Sequence, residues 1–263
     1  MLKRKQNSAN ADWVKAWADI ESTQAFAEVD ALAESTVERI RRAMQAPGAS
    51  RVAFAWSGGK DSLVLESLCR EAGVSKSVFV TDRALDYPEF LSWVEKHMPE
   101  GCECIDVGLG WDFLLKHPEM LFPTAKVLPK WYALVQHRGQ KSFYRKNGLD
   151  AMFFGRRKAD GNMVRGSEED CFAMNATDGR KVLCPIADWS HEHVLAFLKK
   201  RRIPMPPIYG WPDGWRQGTH LWPCRLSLGS EEANWKELWS FAPDVVKEAA
   251  GHLAGAQKFI ETL

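Results

Sequence analysis

The 263-residue chain is 45% hydrophobic and carries 35 basic against 34 acidic residues, a net charge of +1. That length holds one large domain or one domain with appendages, and the balanced charge removes global steering toward nucleic acid, leaving a local patch as the only route to it. No run approaches the roughly 20 apolar residues of a membrane span; the basic start Met1-Leu2-Lys3-Arg4-Lys5-Gln6 has no apolar stretch behind it, so the cytoplasm is the expected compartment.

Residues 10–46 place Trp13, Trp17, Ile20, Phe26, Val29, Leu32, Val37, Ile40 and Met44 mostly three or four apart, which predicts one or two amphipathic helices. Pro47-Gly48 ends this arm. From there strands and helices alternate: a strand over 51–56, a helix over 61–72, a strand over 77–81, a helix over 88–97 with Pro88 in its first turn, a strand over 103–107, a helical tract over about 130–146 and a short strand over 151–154. Alternation of this kind predicts an α/β fold, a parallel sheet of about five strands with helices on both faces. Asp178-Gly179 lies between 171–175 and 181–183 as a hairpin turn would, and Ser190 can cap a helix running through Leu198. Residues 202–225 are irregular, and 230–263 read as one or two closing helices. The expected organisation is a helical arm over 1–48, a nucleotide-binding α/β domain over 49–205 and an irregular, then helical tail over 206–263.

Ser57-Gly58-Gly59-Lys60-Asp61-Ser62 joins the first of these strands to its helix. A glycine turn there presents backbone N–H groups at the positive end of a helix, where phosphate oxygens bind. Lys60 adds a charge, and Ser57 and Ser62 add hydroxyls. The Walker A spacing and the Gly-x-Gly-x-x-Gly fingerprint are both absent. Two further loops fall after strands: Thr81-Asp82-Arg83 with Tyr87-Pro88-Glu89, and Gly155-Arg156-Arg157-Lys158-Ala159-Asp160-Gly161 with Arg165 beyond. Chemistry at a triphosphate requires cations, here Lys60, Arg156, Arg157 and Arg165, and a carboxylate for magnesium, here Asp61, Asp82 or Asp160. Asp61 either caps its helix or holds the metal.

The glycine loop resembles the signature of the N-type ATP pyrophosphatases (the adenine nucleotide alpha-hydrolase-like superfamily), which includes the phosphoadenylyl-sulfate reductases. Gly155-Arg156-Arg157-x-x-Asp160 resembles that reductase family's Gly-x-Arg-x-x-Asp/Glu segment, and Pro185-Ile186-Ala187-Asp188-Trp189-Ser190 through Ile208-Tyr209 resembles its Pro-x-x-x-Trp-Ser/Thr helix and Pro-x-Tyr segment. Asp82 through Glu89 resembles its second motif. The resemblance implies that Ser57 to Ser62 cradle phosphates, that Asp82 lies near the adenosine, and that Arg156, Arg157 and Asp160 lie near the reacting groups. The reductases' Glu-Cys-Gly-x-His nucleophile segment has no counterpart, since no cysteine follows Cys224, and Lys60 stands where reductases of the 3′-phosphorylated substrate tend to lack a lysine. The Gly-Cys-x-x-Cys element of some relatives reads His220-Leu221-Trp222-Pro223-Cys224 here, which makes an iron–sulfur cluster doubtful.

The expectation is therefore an enzyme that binds ATP and magnesium and adenylylates an acceptor with release of pyrophosphate, in sulfur activation or nucleic-acid modification. The rivals are an adenylyl-sulfate or phosphoadenylyl-sulfate reductase using Cys224 and a non-catalytic nucleotide-binding subunit. The N-terminal arm is a candidate surface for a protein partner. The six cysteines form no Cys-x-x-Cys pair and are expected to pack as small apolar residues. Tyr209, Trp211, Trp215 and Trp222 are either a platform for a flat acceptor or anchors for an irregular loop. His191 and His193 do not share a helix face and are expected to be solvated.

Overall fold

The computed structural model describes residue 2 and residues 8–46, 49–176 and 179–263, so the expected helix stop at Pro47-Gly48, the turn residue Asp178 and most of the basic N-terminal run lie outside the described residues. The chain forms α1 (Asn10–Asp19), α2 (Gln24–Gln45), β1 (Val52–Trp56), α3 (Lys60–Glu71), β2 (Ser77–Thr81), α4 (Pro88–His97), β3 (Cys102–Asp106), α5 (Gly110–Lys116) and α6 (Leu128–Tyr132). It continues through a π-helical stretch (Ala133–His137) to α7 (Arg138–Lys146), β4 (Ala151–Phe153), β5 (Met174–Asn175), β6 (Lys181–Leu183), α8 (His191–Lys200), α9 (Gly214–Gln217), α10 (Glu231–Trp239), α11 (Pro243–Ala250) and α12 (Ala254–Ile260).

The strands form a six-stranded sheet in the order β3-β2-β1-β4-β6-β5. β1 pairs in parallel with β2 (Phe54 opposite Ser77) and with β4 (Val52 opposite Ala151), and β4 pairs in parallel with β6. This is the α/β fold expected, with one addition. β5 is only two residues long and pairs antiparallel with β6, Met174 opposite Val182, so it closes the edge as a hairpin partner and brings the strand count from about five to six. The central strands are apolar throughout, Ala53, Phe54, Met152 and Phe153 being fully buried, as strands covered on both faces must be. No helix among the described residues is long and apolar enough to cross a membrane.

Two compact units interleave along the chain. The first comprises residues 1–79, 98–105 and 140–206, the second 80–97, 106–139 and 207–263. In the first, α2 packs on α8 and α3, and α1 touches α8. Trp13, Ile20, Val29, Ala33, Val37 and Ile40 are buried there. The arm's apolar stripe, a candidate surface for a protein partner, is thus covered by the chain's own helices. Arg39 anchors α2 by donating to Pro185 O at 2.7 Å and pairing with Asp188 at 3.1 Å and with Glu168.

The second unit is knit by aromatic contacts. Phe122 lies 4.8 Å from Trp235, and Trp222 lies 5.6 Å from Trp111 and 5.8 Å from Trp235, centroid to centroid. Arg225 meets both Glu237 oxygens at 2.8 and 2.9 Å. Tyr209 packs on Trp215 at 4.7 Å, and both are buried with Trp222. These rings anchor the irregular segment, which settles the choice between anchor and platform for Tyr209, Trp215 and Trp222. Trp211, half-buried, is likewise held, by Tyr87 at 4.8 Å. The closing region contains three helices instead of one or two.

Candidate functional site

Chain order reverses at β1. From β1 the chain proceeds outward through β2 to β3, then returns to place β4 on β1's other side. The carboxyl ends of β1 and β4 are therefore adjacent, and an open α/β sheet binds ligands at such a switch point. The loop after β1 is Ser57–Gly59, and the loop after β4 begins at Phe154.

The first loop is shaped from within. Gly58 has φ +67, a left-handed conformation that glycine adopts without steric cost. Ser62 Oγ donates to Gly59 O at 2.9 Å and accepts from Ser57 N at 3.1 Å, with the Ser57 hydroxyl 3.2 Å away. The turn is thereby braced before any ligand arrives, and it delivers the chain into α3 with Gly59 as the N-cap residue. Asp61 is thus a first-turn acid and not the cap. First-turn N–H groups have no partner within the helix and carry the positive end of its dipole.

Lys60 is 2% exposed, and its Nζ meets Asp61 Oδ2 at 2.5 Å and Asp160 Oδ1 at 3.9 Å. Arg157, fully buried, spreads its guanidinium over four acceptors: Asp61 Oδ1 through Nε (2.7 Å), Trp189 O through Nη1 (3.2 Å), and Asp160 Oδ1 (3.0 Å) and His191 Nδ1 (3.1 Å) through Nη2. Two cations and two carboxylates thus neutralise one another in a sheltered cluster, where a lone charge would be costly. The loops meet closely because residue 155 is glycine: a Cβ there would lie 3.0 Å from the Asp61 carbonyl oxygen.

His191 corrects the expectation of solvation. It is 3% exposed, and burial together with the adjacent Arg157 charge lowers its pKa to about 4. As a neutral ring accepting from Arg157 at Nδ1, it carries its proton on Nε2. The Trp13 ring stands edge-on to it at 4.7 Å. His193 takes part in the helix cap instead, its N–H donating to Ser190 Oγ at 3.0 Å.

Other expected residues lie outside this cluster. Arg156 is half-buried with its guanidinium 5.2 Å from the Phe154 ring, and Arg165 is exposed with Nη2 3.6 Å from Met163 Sδ. Asp82 belongs to the second unit, where it is buried and accepts from Leu109 N and, at 3.2 Å, Gly110 N at the start of α5; burial raises its pKa. Asp86, also in that unit, was not singled out from the sequence. Its carboxyl accepts from Thr81 Oγ1 at 2.8 Å and from Tyr87 N at 3.0 Å, and burial lifts its pKa to about 7. Cys224 is 6% exposed, and burial pushes its thiol well above the ordinary range. His220 hydrogen-bonds Tyr132 Oη at 3.2 Å.

Both Asp61 oxygens are engaged, and no three His, Cys, Asp or Glu side chains among the described residues group as a resident metal would require. The cluster fits magnesium as an ion carried by a polyphosphate, which needs only one or two protein carboxylates. It offers no ready ligand set for a permanently held metal.

Residues 51–211 match the phosphoadenosine phosphosulfate reductase domain. None of the curated proteins matches the chain in sequence. Among solved structures, a phosphoadenylyl-sulfate reductase from Candida auris in a phosphate complex is 17% identical, with 72% of this chain and 93% of that one aligned at a TM-score of 0.50, and shares the fold. An NMN synthetase from Francisella tularensis aligns over 88% of this chain and 92% of its own at 14% identity and a TM-score of 0.49. A U34-tRNA thiolase from Methanococcus maripaludis, solved with its iron–sulfur cluster, aligns over 89% and 81% at 12% identity and a TM-score of 0.43.

Proposed function

The chain belongs to the phosphoadenosine phosphosulfate reductase domain family, and from that premise we propose that it is an ATP pyrophosphatase that adenylylates an acceptor. The observation that carries this reading is the buried Lys60 at the first turn of α3, held by Asp61 and Asp160 beside the Arg157 guanidinium. A triphosphate on the 57–62 loop meets backbone donors at the helix start and two cations whose countercharges lie on Asp61 and Asp160. Asp61 and Asp160, the carboxylates that meet Lys60, would face magnesium carried by the nucleotide, which would neutralise charge at the leaving phosphates. Arg156 and Arg165 are candidates for the far side of the substrate.

In this reaction an acceptor oxygen attacks the α-phosphorus. A new P–O bond forms as the bridge to the β-phosphate breaks, pyrophosphate leaves with the bond's electron pair, and a proton passes to solvent only where the acceptor oxygen carried one. The chain's contribution is placement and fixed charge. Ser57, Gly58, Gly59 and Ser62 hold the shape of the cradle, Lys60 and Arg157 face developing negative charge, and His191 stays neutral so that it accepts from Arg157 and adds no competing cation. Acceptors of the two settings that suit the family, sulfur activation and nucleic-acid modification, both present a nucleophilic oxygen.

Reduction of a sulfuryl group needs an accessible thiolate. Cys224 is buried and its thiol is held protonated, which favours the pyrophosphatase reading. The deciding experiment measures heat on titrating magnesium-ATP into the protein and pyrophosphate release with sulfate and nucleic acid as trial acceptors. Binding with release is expected. Binding without release under every acceptor favours a nucleotide-binding subunit, and no binding overturns the reading.

A further inference from the structure

The family match begins at residue 51, so α1 and α2 precede it. They nevertheless reach the cluster of Lys60, Asp61, Arg157, Asp160 and His191. Trp13 of α1 is fully buried, stands edge-on to His191 at 4.7 Å, and has Lys60 Nζ 5.4 Å from its ring centroid. From α2, Thr36 Oγ1 accepts from Trp189 Nε1 at 3.1 Å, while the carbonyl of the same Trp189 accepts from Arg157. Arg39 of α2 holds Pro185 O and Asp188 in the segment just before it.

A lysine side chain has four flexible torsions and fixes a charge in space only when its surroundings confine it. Asp61 confines the Lys60 ammonium from one direction, and the indole face attracts a desolvated cation while excluding water from it. A single residue outside the family domain therefore contacts two members of the cluster.

We infer that Trp13 is a positioning residue for the nucleotide site, acting through Lys60 and His191, so that docking of α1 and occupancy of the site are thermodynamically coupled. This rests on the nucleotide-binding reading above. Coupling is reciprocal: α1 strengthens nucleotide binding, and nucleotide tightens α1.

The test uses the full chain, its Trp13→Leu and Trp13→Phe variants, and magnesium-ATP as the probe. Trp13→Leu keeps an apolar filler but no aromatic face, and its Kd is expected to rise about tenfold. Trp13→Phe restores the aromatic face and is expected to bind within about threefold of the parent. A melting curve checks that each variant is folded. Hydrogen exchange over Asn10–Asp19 in the unsubstituted protein reads the coupling without any substitution, and exchange is expected to slow when nucleotide binds. If the parent binds while Trp13→Leu binds equally well, or if α1 exchange ignores the nucleotide, this inference falls and the nucleotide-binding reading stands. If the parent binds no nucleotide, both fall.

Discussion

Arg157 donates through Nε to Asp61 Oδ1 at 2.7 Å, fastening the loop after β4 to the first turn of α3. Because Lys60 holds the other oxygen of the same carboxylate, Asp61 is shared by cations from both loops, and a change at either reaches the other.

Replacing Lys60 by methionine removes one cation and leaves Asp61 still held by Arg157. The variant is expected to fold and to lose about tenfold or more in magnesium-ATP affinity, about 1.4 kcal/mol. Titration calorimetry checks this, and an unchanged Kd would remove Lys60 from the site.

Gly155→Ala places a Cβ 3.0 Å from the Asp61 carbonyl oxygen, a backbone atom that has little room to yield. A loss of about 1–3 kcal/mol is expected from overpacking. Gly210, with nothing within 4 Å of its would-be Cβ, supplies the control. Equal melting temperatures for the two alanine variants would show that the loops do not need their close approach.

Two buried groups bend the pH dependence of stability in opposite directions. His191 titrates near 4 when folded against an ordinary 6.5, so the unfolded chain takes up a proton that the folded chain refuses, and stability drains as pH falls from 6.5 toward 4. Asp86 titrates near 7 against an ordinary 3.8, so stability drains as pH rises from 3.8 toward 7. Each contribution is roughly 3–4 kcal/mol over its window, and across pH 4 to 6.5 they largely cancel. Urea denaturation of Asp86→Asn is expected to show stability climbing more steeply with pH than the parent, and His191→Asn to show it falling. Parallel profiles for all three proteins would contradict both assignments.

Cys224 is sealed and its thiol protonated, so native protein is expected to resist alkylation at that position until it unfolds, and Cys224→Ser to release pyrophosphate at the parent rate. Rapid labelling of Cys224 in the native state, located by peptide mapping, would reopen the reductase reading.

The strand-turn-helix at 52–71 was legible because glycines, an apolar run and a helical run occur together within 20 residues. The capped start of α8 was legible for the same local reason, with Ser190 accepting from the His193 N–H. What escaped depends on distant chain. His191 occupies the first turn of a helix, where the polar pattern Ser-His-Glu-His suggests solvent, and its cover comes from Trp13, 178 positions earlier. Trp13 itself fits a helical apolar stripe and reads as core, which it is; nothing in that stripe shows that one core residue also borders a cluster of charges. The hairpin of β5 and β6 was legible from its two arms, 171–175 and 181–183, but its place beside β4 at the edge of the main sheet was not, nor was α5, which begins among Gly108, Leu109 and Gly110, a sequence that reads as a turn.

The chain changes unit after residues 79, 97, 105, 139 and 206. As the polypeptide leaves the ribosome, the first unit therefore lacks its last segment until residue 206 has been made, and the second must wait for the final helix. No single cut separates them, so trimming the gene to residues 51–211 would deliver one unit without its leading helices and the other without residues 212–263. Attempts to isolate a minimal fragment should expect aggregation, and the intact polypeptide is the smallest sensible starting material.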